Sequence, residues 1–347
     1  MSKAFTILVF IVLAGLVVYL APSVFNFVSA NLANSNFNGG VFYYSLDGGD
    51  SFIKNSRGLN FCEINNLIFS PDSKTIFAAT NQGLFQNTDL KEGWERINDE
   101  SGILKMSTKV MAMTFLDNNP EKVLVAVYKS SRGKIYQSTD DLKNLKEVYT
   151  VNNEKAEISD VKFDEVSKNV YFVSSEGIFG YSNDAGSSFR FLKQFPYSLK
   201  KIVISPLNNQ TIFLLTRQNI YKTLDAGHSF IDLREGLNSQ GIQEINDLFI
   251  NKAGILFLAS QKGAWRSFDG GFSWQKMDSL LPQTLPSGAI AYNNERGEVL
   301  IGFDGRFYRS ADTLTWTVRT LNQSNFINVV GIHPLDPKII LVGLKRQ

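Results

Sequence analysis

The chain has one cysteine, two histidines and nine prolines in 347 residues. With Cys62 alone no intrachain disulfide can form, and no basic neighbour in the sequence marks its thiol as a nucleophile. Paired cysteines, an HExxH motif and a glycine-rich phosphate loop are all missing, which removes the usual signatures of zinc and nucleotide sites. His228 lies in a serine- and glycine-containing turn and His333 in a turn before Pro334, so neither has the setting of a base or a metal ligand. No cofactor and no metal are expected. An excess of one charge is missing too. Thirty-five basic residues face 33 acidic ones, a net +2, which leaves no electrostatic case for nucleic acid. Apolar residues are plentiful, at 44% hydrophobic and 12% aromatic, enough to bury a full core.

Charge is absent altogether between Lys3 and Asp47. From Ala4 to Ala21 only Thr6 and Gly15 interrupt an apolar run. Residues 4–21 are about long enough to cross a bilayer and exceed a signal-peptide core of roughly 7–15 residues. The segment reads as an uncleaved transmembrane anchor over residues 1–22, ended by Pro22, with 23–39 as an uncharged tether and 40–347 as the folded domain. Val28-Ser-Ala30 offers the small residues a signal peptidase needs, so the alternative is a protein secreted after cleavage near Ala30. Lys3 on the cytoplasmic side would place the domain outside, in the periplasm or at the cell surface. No cysteine closely follows the run, so a lipoprotein anchor is not supported.

The rest of the chain repeats. Seven short turns are centred on Asp47, Asp89, Asp140, Asp184, Asp225, Asp269 and Asp312. They recur about every 44 residues, a period that marks a repeat architecture. Four copies are clean, for example Ser182-Asn-Asp184-Ala-Gly186-Ser-Ser188-Phe189 and Ser267-Phe-Asp269-Gly-Gly271-Phe-Ser273-Trp274. Aspartate and serine or threonine side chains accept hydrogen bonds from nearby backbone N–H groups, and glycine two positions later permits positive φ. The turn chemistry engages each aspartate, so these carboxylates are structural rather than catalytic. Before every turn but the first stand three short apolar runs, such as Asn65–Ser70, Thr75–Thr80 and Gly83–Gln86, and a fourth follows it, here at Trp94–Ile97. Their Val, Ile, Phe and Tyr content and their breakers read as strands. Four antiparallel strands per repeat make one blade of a propeller.

The chain ends fix the blade count. The first aspartate turn has only Val41–Tyr44 before it, while Phe326–Ile332 and Lys338–Gly343 follow the last one. The expected fold is all-β: a seven-bladed propeller of four-stranded antiparallel blades. Its last blade is assembled from two strands at each end, so trimming about fifteen C-terminal residues should open the ring.

The turn pattern [Ser/Thr]-x-Asp-x-Gly-x-[Ser/Thr]-[Phe/Trp] resembles the Asp-box, or bacterial neuraminidase repeat. Runs such as Gly83-Leu-Phe85 and Gly263-Ala-Trp265 leading into the box resemble most the small single-propeller proteins typified by the photosystem II assembly factor. Sortilin-type domains, sialidases and xyloglucan-cleaving endoglucanases share the box more distantly. The assembly-factor resemblance implies a non-catalytic scaffold that grips a protein partner. The alternative it leaves is a glycan-binding protein or glycoside hydrolase of the sialidase-like superfamily. No enzyme is favoured: the sialidase Arg-Ile-Pro motif is absent, and no second propeller forms a cleft.

With the first strand of each blade at the axis, the loops between second and third strands share a face with the loops between blades. The aspartate turns fall on the other face, at the outer rim. Function is expected among the freer loops. Candidate binding residues there are Asn81, Lys129, Arg132, Arg217 and Lys262. Glu176 and Asp304 are the candidate carboxylates, although hydrolysis needs a pair about 5–9.5 Å apart and these stand three blades apart.

Overall fold

The computed structural model describes residues 41–59, 62–277, 287–321 and 325–346. The anchor, the tether and the cleavage position lie outside the described residues. Among those described, no helix is long and apolar enough to cross a membrane.

Strands β1–β28, numbered in chain order, form seven four-stranded antiparallel sheets. Blades I to VI are β3–β6 (residues 64–96), β7–β10 (109–150), β11–β14 (158–194), β15–β18 (201–232), β19–β22 (245–276) and β23–β26 (287–320). Blade VII has the order β2-β1-β28-β27. Its strands β27 (Asn325–Ile332) and β28 (Ile340–Arg346) come from the C-terminal end, and β1 (Val41–Ser45) and β2 (Ile53–Lys54) from the start of the propeller. The first strands of successive blades touch one another around the ring, which puts them innermost. The chain is a seven-bladed propeller.

The apolar runs are continuous because each blade is covered on both faces. Second strands such as Ile76–Thr80 and Val170–Ser174 are buried at every position. Fourth strands such as Ile53–Lys54 and Gln275–Lys276 are short and exposed, which blunts the outer sheet edges. The buried side chains fall into seven clusters, one between each pair of neighbouring blades. Phe77 and Leu84 of blade I, for instance, share a cluster with Val110, Val123 and Val125 of blade II. Stability therefore resides in the seams, and every seam needs both its blades.

The aspartate turns are built as their residue types require. In blade III, Asp184 Oδ1 accepts from the Ser182 hydroxyl at 2.6 Å and the Ser188 N–H at 3.0 Å, and Oδ2 accepts from the Ser188 hydroxyl at 2.6 Å. The Ser182 oxygen in turn accepts from the Gly186 N–H at 2.8 Å. The clean copies repeat this set around Asp47, Asp225 and Asp269. The turns also join blades. Gly227 has φ of 103°, and a Cβ there would lie 2.5 Å from Phe179 of the preceding blade. Side chains one residue before a turn reach the next blade's turn: Gln137 donates to the Ala185 carbonyl at 2.8 Å, and Arg266 to the Thr313 hydroxyl at 2.9 Å.

These hydrogen bonds set an acid limit. Side-chain and backbone donors hold the Asp140 and Asp184 carboxyls at about 2, against an ordinary 3.8. At Asp269 desolvation pulls upward, but donors from Ser273 and Ser267 outweigh it, and the group also sits at about 2. A carboxyl depressed in the folded state adds stability above its unfolded pKa and loses it as pH falls through the folded one. The urea midpoint should therefore hold constant from neutral pH to about 4 and fall steeply between about 4 and 2. An Asp184→Asn variant should be less stable at pH 7 and match the wild type below about pH 2. A midpoint independent of pH across that window would contradict the assignment.

Two local features complete the fold. The turn Leu116–Pro120 closes on two residues, Asp117 and Asn118, both at positive φ (53° and 54°) as a type I′ hairpin requires. The connection between blades IV and V contains a short helix α1 (Arg234–Ser239) that buries Leu237. Six residues are too few to show a helical period.

Candidate functional site

Six of the seven inner strands carry a β-bulge at the same point, beside Asn65, Met111, Ser159, Asn246, Gly288 and Asn328. In blade IV, Lys200 stands at the equivalent point, just before β15 (Lys201–Ile204). A bulge bends its strand and re-aims a side chain. Here the re-aimed groups tie one blade to the next. Asn65 donates to the Val110 carbonyl at 2.7 Å, Asn328 to Ile64 at 2.6 Å and Lys200 to Ile245 at 3.4 Å. The following residue is Asp160 in blade III and Asp247 in blade V. Their carboxylates accept the inner-edge N–H groups of Ile202 at 3.0 Å and Ile290 at 3.1 Å in the next blade. Those N–H groups face the axis, where no further strand could pair them.

The inner strands enclose an axial cavity of about 680 Å³, to which every blade contributes. Its walls are uneven in charge. Lys162, Lys200 and Lys201 of blades III and IV line one side, and Asn65, Tyr292, Asn328 and Val330 line the other. Lys201 pairs with Asp247 at 2.6 Å, Lys162 with Asp160 at 3.7 Å and Lys252 with Glu295 at 3.3 Å. Lys200 has no carboxylate within ion-pair distance among the described residues. It is exposed at the cavity, and desolvation, followed by the charge of Arg217, lowers its pKa against the opposing charges of Asp247 and Glu244.

The opposite, aspartate-turn face is apolar over four consecutive blades. Leu224 of blade IV, Phe268 and Phe272 of blade V, Leu314 of blade VI and Leu46 of blade VII are all exposed at the turn tips, Phe268 at 57% and Leu314 at 64%. Blades I to III place Thr88, Thr139 and Asn183 at the position of Leu46, Leu224 and Phe268. Cations lie over the two aromatic rings: Arg266 is 5.1 Å from Phe268, and Lys222 is 5.0 Å from Phe272.

The residues singled out from sequence do lie at the turns between second and third strands. Their side chains largely brace neighbouring loops. Asn81 Oδ1 accepts from the Glu63 N–H at 2.8 Å. Lys129 donates to the Gly102 carbonyl at 3.1 Å. Arg132 stands 3.8 Å from Glu154, Arg217 is 3.0 Å from Glu244, and Lys262 Nζ lies beside Gly241. Glu176 accepts from the Asn153 amide through Oε2, and its Oε1 is buried without a partner. Asp304 sits at φ 41° in blade VI, while Glu176 is in blade III. Three blades is the widest separation a seven-membered ring allows, so the structure does not bring these two carboxylates together. The axial ring was missed, although its signal is in the sequence. Polar pairs Asn65-Asn66, Ser159-Asp160, Lys200-Lys201 and Asn246-Asp247 recur in phase at the head of four of the seven first strands.

No family model matches the chain, and no curated protein is detectably similar in sequence. Solved structures are similar in fold. YCF48 bound to D1 peptide superposes with a TM-score of 0.63 at 13% identity, over 82% of this chain and 94% of that one. YCF48 from Cyanidioschyzon merolae gives 0.63 at 12% identity, over 81% and 95%. This propeller is similar to YCF48. The likeness extends the box resemblance, since YCF48 is the photosystem II assembly factor. A GH74 enzyme from Niastella koreensis gives 0.62 at 14% identity, over 81% of this chain and 51% of the enzyme. The chain thus spans about half that enzyme's length but nearly all of YCF48. At these identities the likeness shows the fold.

Proposed function

We propose that this chain is a non-catalytic scaffold that binds a protein partner and assists assembly of a membrane complex. Its propeller is held outside the cytoplasm by the apolar segment 4–21. The observation that carries the reading is the apolar arc on blades IV to VII. Exposed leucine and phenylalanine beside arginine and lysine is the composition of a protein-binding surface, and it covers only one side of a quasi-symmetric ring. The peptide-bound state of YCF48 and its near-complete overlap with this chain support a protein ligand. The arc also moves the expected contact from the loop face to the aspartate-turn face.

The likeness to the GH74 enzyme keeps a second reading, glycan binding or hydrolysis, open to the same experiment. Tagged full-length protein, captured from detergent-solubilised membranes, should bring down one membrane protein. Replacing both Phe268→Ser and Phe272→Ser should weaken that capture at least about tenfold without moving the melting temperature. Protease added outside the cytoplasmic membrane should reach the propeller. Hydrolysis of sialosides or β-glucans that disappears in Glu176→Gln or Asp304→Asn would overturn the scaffold reading.

A further inference from the structure

We infer that the axial cavity is a binding site for a carboxylate, seated on Lys200. Three ammonium groups, on Lys162, Lys200 and Lys201, converge on one wall of a cavity of about 680 Å³, within the size range of small-ligand pockets. Two of the three are matched to aspartates that have a second task. Asp247 faces Lys201 while it holds the Ile290 N–H, and Asp160 faces Lys162 while it holds the Ile202 N–H. These aspartates are fixed at the blade junctions and cannot swing to a third cation. Lys200 is left exposed at the cavity with a single long hydrogen bond, 3.4 Å to the Ile245 carbonyl, while the carboxylates whose charge reaches it, Asp247 and Glu244, are paired with Lys201 and Arg217.

An ammonium so placed has no carboxylate in direct contact, and a carboxylate entering along the axis would supply one. Elsewhere the lining holds Asn65, Tyr292, Asn328 and Val330 and the mutually paired Lys252 and Glu295, so the cation without a carboxylate partner is Lys200, and the remainder of an anion seated there would lie against the polar and apolar side chains opposite. Two sources present this chemistry: a small free carboxylic acid, or the C-terminal carboxylate of a polypeptide. The site is independent of the apolar arc, which lies on the turn tips of the outer rim.

The test is calorimetric titration of the full chain at low salt with citrate, with a short peptide ending in a free carboxylate, and with the same peptide amidated. Citrate or the free-acid peptide should bind at one per chain. Lys200→Met should weaken that binding at least about tenfold, and Lys200→Arg should retain it. A preference for citrate identifies a small acid, and binding of the free-acid but not the amidated peptide identifies a chain terminus. A readout on the unaltered protein guards against a misfolded variant. Pyridoxal phosphate with borohydride should label Lys200 ahead of the surface lysines, and citrate should protect it. Absence of binding to citrate and both peptides, binding that survives Lys200→Met, or labelling that citrate leaves unchanged would each overturn the site.

Discussion

Deletion of residues 333–347 should abolish the native propeller rather than weaken it. The removed segment contains β28, the only strand among those described that joins the two ends of the chain. It pairs with β1 on one side, from Val41↔Leu344 to Ser45↔Ile340, and with β27 on the other. Its Ile340, Leu341, Val342 and Leu344 are fully buried, with Leu341 in the VII–I seam and the other three in the VI–VII seam. Burial of four such side chains contributes on the order of 8 kcal/mol. A whole domain is commonly stable by only about 5–15 kcal/mol. Both seams lose their apolar partner together, and β1 is left as an unpaired edge open to aggregation. The expected observation is loss of near-ultraviolet dichroism and a shift to soluble aggregate on gel filtration. A truncated chain that stays monomeric and melts cooperatively near the wild-type temperature would refute the closure argument.

Glu298→Ala should be the most damaging single substitution at the same seam. The Glu298 carboxylate accepts from Arg296 at 2.7 and 3.2 Å and stands 3.7 Å from Arg309. Arg309 then crosses to blade VII, where it donates to the Gly48 carbonyl and binds Asp50 at 2.8 Å. Both Glu298 and Arg309 are nearly buried, at 11% and 12% side-chain exposure. Removing one member of a buried ion network strands the others in a poorly solvating place, a loss of about 3–5 kcal/mol. In a propeller of this size that corresponds to a melting temperature lower by roughly 6–15 °C. Glu298→Gln, which keeps an acceptor but not the charge, should lose less. Thermal melts of the two variants decide the point: equal and small losses would show that the network contributes little.

Legibility in the sequence differed sharply between fold and site. The aspartate turns were readable because each is local. Ser182, Asp184, Gly186 and Ser188 satisfy one another within seven residues, so the pattern survives intact in the chain. The strands were readable for a related reason, since burial on both faces leaves runs such as Ile212–Leu215 wholly apolar. The binding candidates were less well chosen. Asn81, Lys129 and Arg217 looked free because their partners Glu63, Gly102 and Glu244 are 18 or more residues away.

The sequence by itself determined the period, the strand content, the seven blades and the closing of the ring by both ends. The period and the strands depend on hydrogen bonds and burial patterns within one repeat, which the order of residues records directly, and the blade count and closure follow from counting those repeats and the strands left over at each end. Only the tertiary structure decided that bulges turn Asn65 and Asn328 toward the axis, that Lys200 joins them there, and that Asp160 and Asp247 are committed to the neighbouring blade. It also decided that the apolar turn tips gather on blades IV to VII. Those relations join residues one or more repeats apart. They arise where separate blades meet, through geometry that no single repeat encodes.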